Sequence, residues 1–195
     1  MSIVATPSGA EPVGTLSASG SYTGKLRHMA ILSTYNTNIF TGDFVLIASD
    51  GTCRKAAITT AIVAGTIGIF MGCAYTDPTT QQMTFSAMWP ANNAATDAVA
   101  YVVDDPFVLF RMQADGAMAQ TDIGNNAKVI ATGGESTVMG RSKNAIDADT
   151  DTTNTFPLRV VEFVDGPDST LGDAYQDVIC MFAPTSHAYL TLLGV

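Results

Sequence analysis

The chain has 195 residues, 47% of them hydrophobic and only 14% charged, with a net charge of −9 from 18 acidic and 9 basic side chains. That length suits one domain with a sizeable core. The absence of any basic cluster argues against a nucleic-acid partner, since phosphate neutralisation requires grouped Lys and Arg. A charged share well below the usual roughly 25% leaves a surface of Thr, Ser, Asn, Gly and Ala, the kind of surface that subunit interfaces bury at their centres.

Residues 1–25 are rich in Ser, Gly, Thr and Pro, with spaced apolar residues at Ile3, Val4, Val13, Leu16 and Tyr22. The stretch reads as an extended N-terminal arm that orders on a partner, followed by a single β-rich domain over residues 26–195. Its opening, MSIVATPSGAEPVG, has neither a charged n-region nor a long apolar h-region, so no signal peptide is expected. No apolar run approaches the roughly 18 residues of a membrane span, and no membrane partner is expected.

Residues 26–33 (LRHMAILS) form the first strand candidate, and Ile39-Phe40 follows a polar loop. Thr41-Gly42-Asp43 turns into a strand at 44–48. Asp50-Gly51 supplies the positive φ of a hairpin turn into a return strand at 53–57. Residues 67–75 make another strand, in which Gly68 and Gly72 form bulges or admit a neighbouring backbone. In residues 82–88, Met83, Phe85 and Ala87 alternate with Gln82, Thr84 and Ser86, so this strand is half exposed.

Residues 98–124 (AVAYVVDDPFVLFRMQADGAMAQTDIG) are the centre of the sequence. Two Val-, Tyr- and Phe-rich runs flank Asp104-Asp105-Pro106 and read as a buried pair of strands joined by a tight turn. A helix would not carry a proline at its middle. Further strands are expected at 127–131, 157–164, 174–182 and 188–193. The stretch 117–123 reads as a short helix or loop, and 136–146 as a strand or an irregular segment. About ten short strands with turn signals between them predict an all-β fold, a compact β-barrel or β-sandwich.

Chemistry-bearing motifs are sparse, and no catalytic residue, cofactor or metal is assigned. Cys53, Cys73 and Cys180 show no metal spacing; as an odd number within or beside apolar runs, they read as reduced, buried thiols. His28 and His187 are the only histidines and neither adjoins a nucleophile motif. Asp147, Asp149 and Asp151 resemble the start of a calcium loop, but the sixth position is Thr152 and the twelfth Leu158. Asp104-Asp105 reads as turn chemistry ahead of Pro106. The reading is not an enzyme.

The segments YNTNIFTGDFVLI (35–47), IGIFMGCAYTD (67–77), FSAMWPANNAATDAVAYVVDDPFVLFRMQADG (85–116) and AQTDIGNNA (119–127) resemble tailed-bacteriophage head decoration, or capsid cement, proteins. The resemblance implies an auxiliary virion protein made in the host bacterial cytoplasm and located on the outer capsid surface. It implies a homotrimer whose partner is the major capsid protein, clamping neighbouring subunits against the pressure of packaged DNA. In that reading Ile3, Val4, Val13, Leu16 and Tyr22 are the capsid-contact arm. A competing expectation is a virion surface carbohydrate- or receptor-binding module, for which Tyr75, Trp89 and Tyr101 are the available aromatic platform. A hydrolase using His28 or His187 is the remaining alternative.

Overall fold

The computed structural model describes residues 4–17, 20–57, 63 and 65–191. Among them the chain is all-β: fifteen strands in antiparallel sheets, one short 3-10 turn at Gln120–Asp122, and no α-helix. No helix among the described residues is long and apolar enough to cross a membrane.

Five strands make the first sheet: β1 (Glu11–Thr15), β10 (Val108–Gln113), β15 (Asp177–Phe182), β14 (Leu158–Phe163) and β11 (Asn126–Ala127), in that spatial order. The second sheet has six: β2 (Arg27–Ala30), β9 (Val99–Val103), β6 (Thr66–Thr76), β4 (Phe44–Ile47) and β5 (Cys53–Lys55) in order, with β7 (Met83–Ser86) also paired to β6. Two small ladders complete the fold. β3 (Ile39–Phe40) pairs with β8 (Met88–Trp89), and β12 (Val129–Ala131) pairs with β13 (Asn144–Ile146). The sheets do not close into a barrel.

The six-stranded sheet is the middle layer, which explains why its central strands read as continuous apolar runs. In β4, Phe44 enters one core and Val45 the other; in β9, Val103 and Val102 divide in the same way; in β6, so do Ile69 and Phe70. A strand buried on both faces has no polar side to alternate with. The first core fills the space between the two large sheets. At its centre Phe44, Phe110 and Phe182 pack edge to face, with centroids 5.4–5.7 Å apart. The second core lies on the far side, where Met29, Val45, Phe70 and Val102 meet Ile39 and Trp89.

Several local features follow from sequence. Gly51 has φ 76° in the β4–β5 hairpin, where Asp50 accepts from the Thr52 backbone amide at 3.0 Å and its hydroxyl at 2.6 Å. Those bonds, aided by Arg54, hold the Asp50 carboxyl down at about 2. A Cβ at Gly68 would collide with the Val103 carbonyl of β9, and Gly72 (φ 137°) sits at the bulge where β6 slips its register against β9. A second bulge, at Val161 in β14, resets the alternation there. Leu158 and Val160 face the core, yet after the bulge it is Glu162 that is exposed and Phe163 that packs inward.

Four expectations are corrected. The extended arm is not what the structure shows over the described part of residues 1–25: Glu11–Thr15 is β1, hydrogen-bonded to β10, and Ala10 is buried in the first core. The pair β9 and β10 do not hydrogen-bond to each other; they belong to different sheets, and Asp104-Asp105-Pro106 is a corner that carries the chain between layers. Asp105 accepts from the Phe107 amide at 2.9 Å and its carbonyl accepts from the Val108 amide at 3.2 Å, so the link is a tight turn whose flanking strands go to different sheets. Residues 188–191 form turns, not a strand, and the rest of that predicted strand lies outside the described residues. The strand count exceeds ten because several ladders are only two or three residues long, too short for periodicity to register.

Candidate functional site

Two apolar strips and one polar cleft stand out on the surface. The first strip runs along the β1 edge. Val4 is 59%, Val13 45% and Leu16 51% exposed. Val13 is the extra residue of a bulge between Pro12 and Gly14, which frees its side chain from the ladder. The Leu16 amide donates to the Phe107 carbonyl at 3.0 Å, so the exposed Phe107 lies beside it. The edge is anchored by Arg111, which pairs with Glu11 at 2.8 Å. Of the other residues assigned to an arm, Ile3 lies outside the described residues. Tyr22 turns inward against the first core, and burial raises its phenol pKa.

The second strip is on the other sheet. In β7 it is the apolar side that faces out: Phe85 is 73% and Met83 63% exposed. Met71, Phe85, Ala87 and Tyr101 line a shallow, uncharged depression of about 310 Å³. The turn carrying the exposed Val138 and Met139 abuts it, because Gly140 rests on Ala87, where a Cβ would come within 2.8 Å. β7 pairs only with β6, so its other backbone edge carries no partner strand among the described residues. The alternation of residues 82–88 was visible in the sequence; which face the fold leaves bare was not.

The cleft, of about 440 Å³, lies at the sheet-switching corner, lined by Tyr22, Lys25, Arg27, Asp104, Asp105 and Tyr189 among others. Asp104 is nearly buried, pairs with the Arg27 guanidinium and accepts from the Tyr189 hydroxyl at 3.3 Å. The guanidinium lies 5.5 Å from the centre of the Tyr189 ring. The sequence marked the two aspartates as turn formers, which Asp105 is. It had no means of bringing Arg27 and Tyr189 to them across 77 and 85 residues of chain.

The remaining candidates are occupied in structural ways. His187 is fully buried; its Nδ1 accepts from the Tyr189 amide at 3.2 Å, and burial depresses its pKa. The neighbouring Ser186 hydroxyl lies 2.7 Å from the Pro157 and Ala183 carbonyls, away from the imidazole's acceptor role. His28 is exposed on β2 and packs edge to face on Tyr101. All three cysteines are free and buried; the Cys53 and Cys73 thiols are pushed up to about 12, which suppresses the reactive thiolate. Asp147 and Asp149 both face Lys128, at 3.7 and 3.6 Å, and Asp151 caps the Thr152 and Thr153 amides. Trp89 and Tyr75 are buried against each other with ring centres 5.5 Å apart, so neither offers a face to a glycan.

One buried ionic cluster pins the turn after β3 to the segment that leads into β13. Asp43 is fully buried and accepts from the Phe40 amide (2.9 Å), the Ser142 hydroxyl (2.7 Å), the Asn144 amide group (3.2 Å) and Lys55 (2.8 Å). Lys55 also reaches Glu135 at 3.0 Å. Burial opposes the Lys55 charge, but Asp43 and Glu135 outweigh it and its pKa is raised. With every acceptor position engaged, this cluster is a staple for the 40–44 and 135–144 segments.

Comparison of the chain with protein-family models, with curated proteins and with solved structures finds no match.

Proposed function

We propose that this chain is an auxiliary virion structural protein that binds the outside of a phage capsid and clamps neighbouring capsid subunits. The observation that carries the reading is the pair of uncharged apolar strips, Val13–Leu16–Phe107 and Met83–Phe85 with Val138 and Met139, displayed on two different sheets. One binding surface makes a ligand; two separated ones make a bridge. As a homotrimer the chain would present each strip three times, and effective concentration would turn modest contacts with the major capsid protein into slow release. The edge of β7 away from β6 also suits strand addition by a capsid segment. The low charge and the resemblance drawn from the central segments support the same reading.

The contact expected of an extended arm falls in this reading to a folded edge, β1. Truncating residues 1–20 would remove β1 and unfill the first core, so point substitutions make the cleaner test. With expanded capsids assembled from the same virus's major capsid protein, the chain is expected to co-sediment to saturation. Leu16→Asp and Phe85→Asp are each expected to raise the dissociation constant about tenfold or more, roughly 1.4 kcal/mol. Wild-type protein that fails to bind, or variants that both retain the wild-type dissociation constant, would overturn the reading.

A further inference from the structure

The cleft at the sheet-switching corner has a composition that selects a ligand class. Among the described residues its charged lining is balanced: Lys25 and Arg27 against Asp104 and Asp105. Neither an anion nor a cation finds net complementary charge there. What the lining offers is an alternation of hydrogen-bond donors and acceptors, carried by the Arg27–Asp104 pair, by Asp105 and by hydroxyl side chains such as Thr15 and Ser21. Two tyrosines line the same space: Tyr22, whose ring packs back against the first core, and Tyr189, which is 46% exposed and offers the aromatic surface. The volume, about 440 Å³, falls in the range of small-ligand sites, about 300–1,000 Å³. A mostly apolar ligand would strand the charged rim, whereas a polyhydroxylated ring has hydroxyls for the rim and a C–H face for Tyr189.

The site is also held in shape before any ligand arrives. Asp104 is 7% exposed and fixed by Arg27 and Tyr189. Tyr189 in turn is placed by His187, whose Nδ1 accepts the Tyr189 amide proton and whose ring stacks edge to face between Phe182 and Tyr189 at 5.2 Å from each. The stack ties one wall of the cleft to the first core. Pre-positioned side chains lose little freedom on binding, which favours a small, weakly held ligand.

We infer that this cleft is a binding site for a neutral carbohydrate, with Tyr189 as the stacking surface and Asp105, Arg27 and Asp104 as hydroxyl partners. The inference rests on the cleft alone and does not depend on capsid binding. The test is saturation-transfer NMR on the intact chain with three neutral probes, maltotriose, mannotriose and N,N′,N″-triacetylchitotriose, and with glucuronate and glucosamine as charged controls. At least one neutral probe is expected to bind with a dissociation constant on the order of 1 mM, ahead of both charged controls. Tyr189→Ala is expected to weaken that binding about tenfold or more. Ser21→Trp, which fills the cleft from its exposed rim, is expected to abolish it while leaving the thermal transition unchanged. No transfer to any neutral probe, stronger binding of a charged control, or binding that survives Ser21→Trp would overturn the inference.

Discussion

On one face of the six-stranded sheet, Phe44, Ile69 and Val103 meet a second full sheet; on the other, Val45, Phe70 and Val102 meet Ile39, Trp89 and the loops around them. The first core is closed by ladders. β10, β15 and β14 run six residues each and bring Phe110, Cys180, Val160 and Phe182 inward by alternation. The second core is closed by two strands of two residues each, too short to hold themselves. Side chains hold that lid instead. Asn38 accepts from the Ala91 amide at 2.6 Å, Asp43 accepts from the Phe40 amide, and the Tyr35 hydroxyl accepts from the Lys55 amide at 3.2 Å. Backbone pairing makes one layer self-supporting; where it runs out, specific polar residues take over, and their loss should loosen one core and not the other.

Substitutions can break this contrast. Asp43→Ala should be the most damaging, at about 3–5 kcal/mol, because it leaves Lys55 with Glu135 alone and removes the acceptor of three buried donors at once. Hydrogen exchange should then show residues 39–40 and 88–89 losing protection before β14 and β15. Equal loss in both layers would mean the cluster staples the whole fold and not the lid. Phe110→Ala should cost a similar or slightly smaller amount, about 3–5 kcal/mol, through the cavity it leaves among Phe44 and Phe182. Its effect should be global, read as a lower denaturation midpoint with uniform loss of protection.

Asn38→Ala is expected to cost about 1–2 kcal/mol and to act on the second core alone; a denaturation series with exchange detection separates it from Phe110→Ala. His187 gives the first core a pH dependence of its own. Its folded pKa lies below the ordinary 6.5 because burial disfavours the imidazolium, although Asp104 and Asp105 pull the other way. The unfolded chain therefore binds the proton first. The stability this provides is fully present above pH 6.5 and is lost as pH falls through the depressed folded value. Melting scans from pH 7.5 to 5 should show a decline that His187→Gln flattens. Smallest is Asp50→Ala in the β4–β5 hairpin. Its carboxyl sits near 2 in the fold against 3.8 ordinarily, so its contribution is present above 3.8 and fades toward pH 2. The variant's acid unfolding should lose a little of its steepness there, and its behaviour at pH 7 should change only slightly.

Much of this molecule was legible in the chain itself. Turn residues at Asp50-Gly51 and Asp104-Asp105-Pro106 and apolar runs at β4, β6, β9 and β10 establish an all-β protein, because each depends only on neighbours within a few residues. Burial of the three cysteines follows from composition of the same kind. Sequence could not say that β9 and β10 part company at the corner, that the stretch read as an arm contains an edge strand, or that Met83 and Phe85 face outward. Those outcomes depend on which strands compete for a given edge, a question of long-range pairing that period and propensity do not contain. The same holds for both surface features. Arg27, Asp104 and Tyr189 meet only because three segments converge on one corner, and Leu16 lies by Phe107 only because β1 takes the outer edge of the first sheet. Local sequence determined what the strands are; tertiary pairing decided which side chains are left for other molecules to touch.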